Sequence, residues 1–336
     1  MGKVSIREIA RRTGYSPATV SNALNGKQTV SSRTAGIVLA EAERLGYRRE
    51  GKLDHVQFVI ARTTGRIVDE QPFNLAVITG VEAEARRHNL TTSLTTLDLS
   101  DHKEARKRIA ELCSDPTGGV ALLATEMTND DDYALFEDSK SPLVMVDGWS
   151  DKLPFDAVTI ANESAAYRAT AFLAECGHEK IGYLSGDFRI RNYPLREQGY
   201  RHVLDDVTIE YDPRFRLLVG TTYETAQADI CAWLDTDPEL PTAFFADNDV
   251  VAVAAIRALT SRGISVPDDV SIMGFDDIDM ARATTPALTT VHVPRQGMGE
   301  LAVRNLLEQA MNPRHVPSVT QVHTMLVERE SVRHLM

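Results

Sequence analysis

The sequence predicts an α/β protein: an N-terminal three-helix head carrying a helix-turn-helix, then a core of two doubly wound parallel α/β lobes. Three observations carry this expectation. From Val56 to Phe275, apolar runs of strand length alternate with helical patterns, as expected of parallel sheets with right-handed crossovers. Residues 4–24 read as two short helices around a sharp turn. Charge is also divided unevenly: the chain of 336 residues carries −12, but residues 1–52 hold ten Lys/Arg against four acids (+6) and the remainder 26 against 44 (−18). A basic head on an acidic body is the asymmetry expected when only the head meets phosphates.

In the head, Ile6, Ile9 and Ala10 recur at helical spacing, and Val20 and Leu24 do so after the turn. Gly14 can end the first helix in the left-handed conformation. Ser16 offers an N-cap hydroxyl, and Pro17 suits the first helical position, where its missing N–H costs nothing. Such a pair can place its second helix in a DNA major groove, or can serve as a docking hairpin. Ser31 caps a third helix from about Ser32 to Leu45, with Val38, Leu39, Ala42 and Leu45 as its inner stripe and Gly46 at its end. A head this small buries little apolar surface and is marginally stable alone.

A charged connector, Arg48 to Asp54, leads into the body. Its expected strands are Val56–Ala61, Thr91–Leu97, Gly119–Ala124, Leu143–Asp147, Lys180–Ser185, Arg216–Val219, Ala243–Ala246 and Val270–Phe275. Helices are expected at Phe73–His88, His102–Cys113, Glu163–Cys176, Pro194–Leu204, Glu224–Leu234 and Val250–Arg262. About 280 residues of alternation exceed one comfortable sheet, hence two lobes.

Open α/β sheets bind ligands beyond the carboxyl ends of their strands. The polar residues there are Asp147 and Trp149, Asp187, Arg191 to Arg196, Asp247-Asn248-Asp249, and Asp276-Asp277. Carboxylates and amides suit hydroxyls, Arg offers a planar fork, and Trp a stacking face. A cleft lined by such groups fits a small polar metabolite, although an Asp at a strand-to-helix turn serves equally as a helix cap. Catalytic signals are weak: there is no GxGxxG after the first strand, no GxxxxGK[ST], GxSxG or HExxH. Asp276 and Asp277 could take Mg2+ or do acid–base work, but no nucleophile or phosphate loop accompanies them. The three cysteines, Cys113, Cys176 and Cys231, are widely spaced, so neither a disulfide framework nor a zinc site is expected. No cofactor or metal is expected. The start lacks a signal segment and no run approaches a membrane span, which points to a cytoplasmic protein without membrane contact.

Val4–Leu24 followed by Asn25-Gly26 resembles the helix-turn-helix of the LacI/GalR family of bacterial repressors, through Ile9-Ala10, Thr13-Gly14, Ser16, Thr19-Val20-Ser21 and Leu24-Asn25. The resemblance continues at Val30-Ser31, Thr34 and Leu45-Gly46-Tyr47, then in the body at Gly177–Gly182, Leu195–Tyr200, Pro241-Thr242-Ala243, Asn248-Asp249, Val266–Asp277, Pro286–Val291 and Leu326–Ser331. It implies a periplasmic-binding-protein-like core and a homodimeric transcriptional repressor. Its affinity for a pseudopalindromic double-stranded operator would be controlled by a small polar effector, a sugar in preference to a nucleobase. By position, Asp147, Arg196, Asn248 and Asp276 match effector contacts, with Phe73 and Trp149 for ring stacking. Candidate DNA contacts are Ser5, Ser16, Pro17, Ala18, Thr19, Ser21, Asn22, Asn25, Ser31 and Leu53. The implied division is a head at 1–47, a connector at 48–55 and a core at 56–336. In that core, lobe 1 is about 56–161 and 292–322, and lobe 2 about 162–291 and 323–336. No leucine-heptad tail follows Ser331, which favours a dimer over a tetramer.

The sequence departs from the family in two places. Val293 stands where many members carry Gln, which removes one polar contact. The connector Arg48–His55 is shorter than the family's hinge and lacks its Ala-Arg pair. Leu53 is the candidate minor-groove wedge but lies too close to Tyr47 for the usual register, so insertion is expected to be altered or absent. On the second helix Pro17 and Ala18 cannot make bidentate base contacts, whereas Asn22 can pair with adenine.

Overall fold

The structure is a computed structural model that describes residues 5–24, 30–45, 52–67, 73–312 and 314–335. It divides into two compact units, a head up to Lys52 and a body that begins at Leu53.

Three helices make the head: α1 (Ile6–Thr13), α2 (Pro17–Leu24) and α3 (Ser32–Arg44). Each begins on a serine. The Ser5 hydroxyl accepts from the Glu8 amide, Ser16 from Thr19 and Ser31 from Thr34, which satisfies donors that a helix start leaves orphaned. Gly14 ends α1 at φ 73°, the left-handed conformation that glycine adopts without a Cβ penalty. Ile9, Ala10, Val20, Ala23, Val38 and Ala42 form the core, flanked by Ile6, Tyr15, Leu24, Val30, Ala35 and Leu45. Leu39, expected in the inner stripe, is half exposed. It sits one residue, about 100° of helix turn, past Val38, so Ala35 and not Leu39 completes the row with 38, 42 and 45.

The body's first sheet is built from β1 (His55–Arg62), β2 (Thr91–Asp98), β3 (Gly118–Leu123), β4 (Leu143–Val146) and β5 (Asp156–Ile160), with α4 (Phe73–Arg87), α5 (His102–Leu112) and α6 (Asp130–Ala134) between them. The second sheet follows, with α7 (Asn162–Glu175), β6 (Ile181–Gly186), α8 (Asn192–Asp206), β7 (Arg216–Val219), α9 (Tyr223–Leu234), β8 (Ala243–Ala246), α10 (Asp249–Ser261), β9 (Ser271–Met273) and α11 (Asp279–Ala283). Last come β10 (Thr290–His292), α12 (Arg295–Met311), β11 (Val319–Val322) and β12 (Met325–Val327). The sheets run β11-β5-β4-β3-β1-β2 and β7-β6-β8-β9, with β10-β12 as an antiparallel ribbon.

Both sheets are parallel and share one winding order, in which the second strand lies outside the first and the third on its other side. The order therefore reverses between β1 and β3 and again between β6 and β8, which opens a crevice at the strand carboxyl ends. Parallel sheets are covered on both faces. Phe244 on β8 joins the α9–α10 core, while its neighbour Phe245 meets Tyr183, which in turn packs on Tyr200 of α8. Helices cross closely where glycine allows: a Cβ on Gly199 of α8 would lie 2.2 Å from the Glu163 carbonyl of α7.

β11 pairs with β5 in the first sheet, whereas β10 bridges to Met273 and Asp276 at the second and pairs with β12. The chain thus passes between the lobes after β5, between β10 and α12, and between β11 and β12. Most expected strands and helices lie within two residues of the observed ones, but the run at Val270–Phe275 yields a strand only at Ser271–Met273. Gly274 marks its end, where a Cβ would strike the Asp249 carboxylate at 2.2 Å.

Candidate functional site

The body's cleft lies where strand ends of both sheets converge. It is lined by Ile67, Phe73, Asn74, Thr125, Asp147, Ile190, Asn192, Tyr193, Arg196 and Asp276, around a free volume of only about 10 Å³. That is far smaller than a metabolite pocket, so a ligand enters only when the lobes part.

Two aspartates at equivalent places set its chemistry. Asp147 follows β4 and Asp276 follows β9, and both hold positive φ, 57° and 112°, conformations that non-glycine residues seldom adopt outside functional or strained positions. Both are buried. Asp147 accepts from the Thr125 hydroxyl at 2.8 Å and from the Asn192 amide at 2.9 Å. Burial nevertheless pushes its carboxyl up to about 6, with the nearby Asp276 charge adding to the effect. Burial also raises Asp276, against the pull of Arg196.

Arg196, about one turn into α8, is the cation between them. Its Nε donates to Asn162 at 2.9 Å, one Nη to the Asp247 carbonyl, and the other lies 3.3 Å from Asp276. Its guanidinium lies over the Phe275 ring, 3.6 Å from the centroid, a cation–π contact in a desolvated place. Arg295, whose guanidinium lies 6.0 Å from the Phe73 ring centroid and also pulls on Asp276, is a second arginine beside the cleft.

Of the six residues expected around an effector, Phe73, Asp147, Arg196 and Asp276 line the cleft. Asn248 does not: it caps α10 by accepting from the Val251 amide, and its amide donates to Tyr193 at 2.8 Å, which places that ring. The capping alternative describes it. Trp149 also lies off the lining, beside the Arg191 guanidinium and bonded to Asp151. Asp277 ion-pairs with Arg329, Arg282 and His292. The lining residues Asn74, Thr125, Asn192 and Tyr193 were not singled out from sequence, although the last two fall in the Arg191–Arg196 stretch that was. Glu126 also escaped notice. It is fully buried, and its carboxylate accepts from the backbone amides of Thr63, Thr64, Gly65 and Ile67, which fixes the loop after β1.

In the head, α2 buries Val20 and Ala23 and exposes Pro17 and Ala18, with Thr19, Ser21 and Asn22 half-exposed. Ser5, Ser16 and Ser31 are exposed; capping uses an acceptor lone pair and leaves the hydroxyl able to donate. Arg7 and Arg33 are exposed on the same unit, while Arg11 and Arg12 share Glu8. Asn25 and connector residues 48–51 lie outside the described residues. Leu53 is removed from the candidate contacts: it is fully buried in the body, near Leu306 over Gly119. Val56, two positions on, takes up the first sheet's core, so the short connector delivers Leu53 to that core rather than to a groove. Among the described residues no helix is long and apolar enough to cross a membrane.

Comparison with known proteins agrees with both halves. Residues 5–50 match the family model "Bacterial regulatory proteins, lacI family", and residues 170–332 match "Periplasmic binding protein-like domain". The chain is 30% identical over 307 residues to the HTH-type transcriptional repressor PurR of Haemophilus influenzae (strain PittEE), covering 91% of this chain and 90% of that one. It is 29% identical over 333 residues to the ribose operon repressor of Haemophilus influenzae (strain ATCC 51907 / DSM 11121 / KW20 / Rd), covering 98% and 99%. Among solved structures, the transcriptional regulator CelR in complex with cellobiose superposes with a TM-score of 0.73 at 27% identity, over 98% of this chain and all of that one. The chain belongs to the LacI family of bacterial regulatory proteins, DNA-binding repressors governed by a small ligand, and is not an enzyme.

Proposed function

We propose that this protein is a sugar-responsive repressor that binds a pseudopalindromic operator as a homodimer. The observation that carries the sugar is the cleft's donor set. Two buried carboxylates, four amide or hydroxyl side chains and one committed arginine line the cleft, an acceptor-rich arrangement matched to a molecule that presents many hydroxyl donors. A phosphorylated or carboxylated ligand is disfavoured beside Asp147 and Asp276, because Arg196 already bonds Asn162, Asp247 and Asp276 and Arg295 the Asp277 carbonyl. Phe73 offers one apolar face, as a sugar ring needs, and Trp149 is occupied by Arg191. The CelR structure holds cellobiose, and the ribose operon repressor is another relative. The similarity to PurR favours a second reading, a nucleobase stacked on Phe73.

A thermal-shift screen of the full chain decides between them. A sugar at a hundred times its Kd stabilises by about 2.7 kcal/mol. Stabilisation by ribose, another monosaccharide or cellobiose supports the sugar; stabilisation by guanine or hypoxanthine alone overturns it.

On DNA, α2 enters the major groove and Asn22 reads a base while the capping serines, Thr19 and Ser21 touch phosphates. Two heads on one dimer read the two half-sites. Leu53 takes no part. Asn22→Ala then relaxes discrimination at a single base pair by about 1–3 kcal/mol; uniform weakening across an operator panel would instead make Asn22 a phosphate contact.

A further inference from the structure

Arg191 stands immediately before α8 in the second lobe, and its whole environment comes from the first. Its two Nη atoms each reach a carboxylate at 3.1 Å, Asp130 at the start of α6 and Asp151 after β4. The guanidinium lies 5.4 Å from the Tyr133 ring centroid and 5.9 Å from that of Trp149. The first lobe holds this socket together by itself. Ser150 donates to Asp130 at 2.8 Å, the Trp149 indole donates to Asp151, and Lys152 pairs with Asp130. Only 17% of the Arg191 side chain is exposed, and its Nε is buried with no hydrogen-bond partner among the described residues. That nitrogen regains water when the lobes part, so docking is held by the two carboxylates and the two rings against a desolvation cost.

A reciprocal contact between the lobes uses the residues just before Arg191. Arg66 of the first lobe pairs with Asp187 and lies over Phe188 of the second, and Ile67 packs with Ile190 and Tyr193. Arg66 and Asp187 are far more exposed than Arg191, so screening leaves that pair the weaker. Arg191 is also next in sequence to Asn192, whose amide bonds Asp147 inside the cleft. Docking of the first therefore positions the second.

We propose that Arg191 and its Asp130–Tyr133–Trp149–Asp151 socket form a latch that fixes how far the cleft is closed before a ligand arrives, making Arg191 a positioning residue that sets effector affinity without touching the effector. The proposal rests on the reading of the cleft as the effector site. A ligand held by both lobes binds the closed form, and its apparent Kd is the intrinsic Kd divided by the closed fraction. The latch raises that fraction, and because it is made of charges it weakens with salt.

The chain has two tryptophans, and Trp233 lies against Phe244 in the second lobe's core. A Trp233→Phe background therefore leaves Trp149 as the reporter of its own socket. Arg191→Met and the exposed-site change Asp151→Asn are compared in that background, with no ligand present. The latch predicts red-shifted, more easily quenched Trp149 emission in both variants. The unmutated socket makes the same change between low salt and about 1 M NaCl, where the screening length falls to about 3 Å, and Arg191→Met no longer responds. Loss of a cation beside the indole could alter emission locally, so amide hydrogen exchange is read at the second contact between the lobes. Opening speeds exchange at residues 63–67 of the first lobe, whereas an effect local to Arg191 is confined to its own chain neighbours and leaves 63–67 unchanged. With cellobiose or ribose, whichever the unmutated chain binds, Arg191→Met weakens affinity by about five- to tenfold, with dissociation faster and association no slower. Unchanged exchange at residues 63–67 overturns the latch. Absence of binding by every sugar overturns the effector reading instead, and leaves the exchange result to decide the latch.

Discussion

The head and the cleft hold their polar side chains in opposite ways. In the head, Ser5, Ser16 and Ser31 each bond three residues along the chain, Thr13 bonds four back, and all but the half-buried Thr13 lie at the surface. In the cleft, Asp147 is held by Thr125 and Asn192, 22 and 45 residues away, and Arg196 by Asn162 and Asp276, 34 and 80 away, all of them buried. Local bonds on an exposed unit leave its contact face open for a partner that brings its own charge. Distant bonds in a buried crevice give a site whose geometry depends on how two lobes sit together. Damage should accordingly be shallow and confined in the head, deep and conditional in the cleft.

Arg196→Met tests the deep end. It strips Asp276 and Asn162 of their partner inside the body, and breaking a buried charge pair costs about 3–5 kcal/mol. Urea unfolding should show the body's transition displaced by that amount with the head's unmoved, and sugar binding lost. Asp147 gives the conditional effect. Its carboxyl titrates near 6 when folded because of burial, above its ordinary value near 3.9. The folded state therefore holds the proton more tightly, and stability falls as pH rises from about 4 to about 6, by on the order of 2 kcal/mol. A sugar that donates to the ionised carboxylate binds less well as pH drops through 6. Asp147→Asn should lessen both dependences in pH-resolved denaturation and calorimetry.

The head's effects are smaller. Ser16→Ala removes the α2 cap at about 1 kcal/mol, lowering the head's own melting and its DNA affinity while the body's melting stays put; a shift in both transitions would erase the contrast. Smallest of all is Leu39→Lys, an exposed position that changes thermal stability by no more than about 0.5 kcal/mol, whereas Val38→Lys unfolds the head.

The elements that local pattern missed have identifiable reasons. Strand β5 opens on Asp156, a residue that reads as loop. It is buried because His315, Gln309 and the Ser318 amide, more than 150 residues on, satisfy its oxygens. Helix α12 carries Gly297 and Gly299, poor helix formers. It is retained by tight packing on α4, where a Cβ on Gly299 would meet the Val77 carbonyl at 2.2 Å. Trp149 and Asn248 stand at strand ends as ligand contacts do, yet one lies beside Arg191 and the other caps α10 and carries Tyr193. Spacing along the chain cannot distinguish a residue that faces a crevice from one that supports its wall.

What the sequence determined by itself is what nearest neighbours decide: the capped helices of the head, the turn at Gly14, the strand–helix alternation that demands parallel sheets, and the division of charge between head and body. Only the tertiary structure decided that Asp147, Arg196 and Asp276 meet, that Leu53 belongs to the body's core, and that Arg191 reaches from one lobe into the other. Those outcomes depend on where the strand order reverses and on which buried charge finds its partner. Both are set by contacts tens to hundreds of residues apart, which no local periodicity encodes.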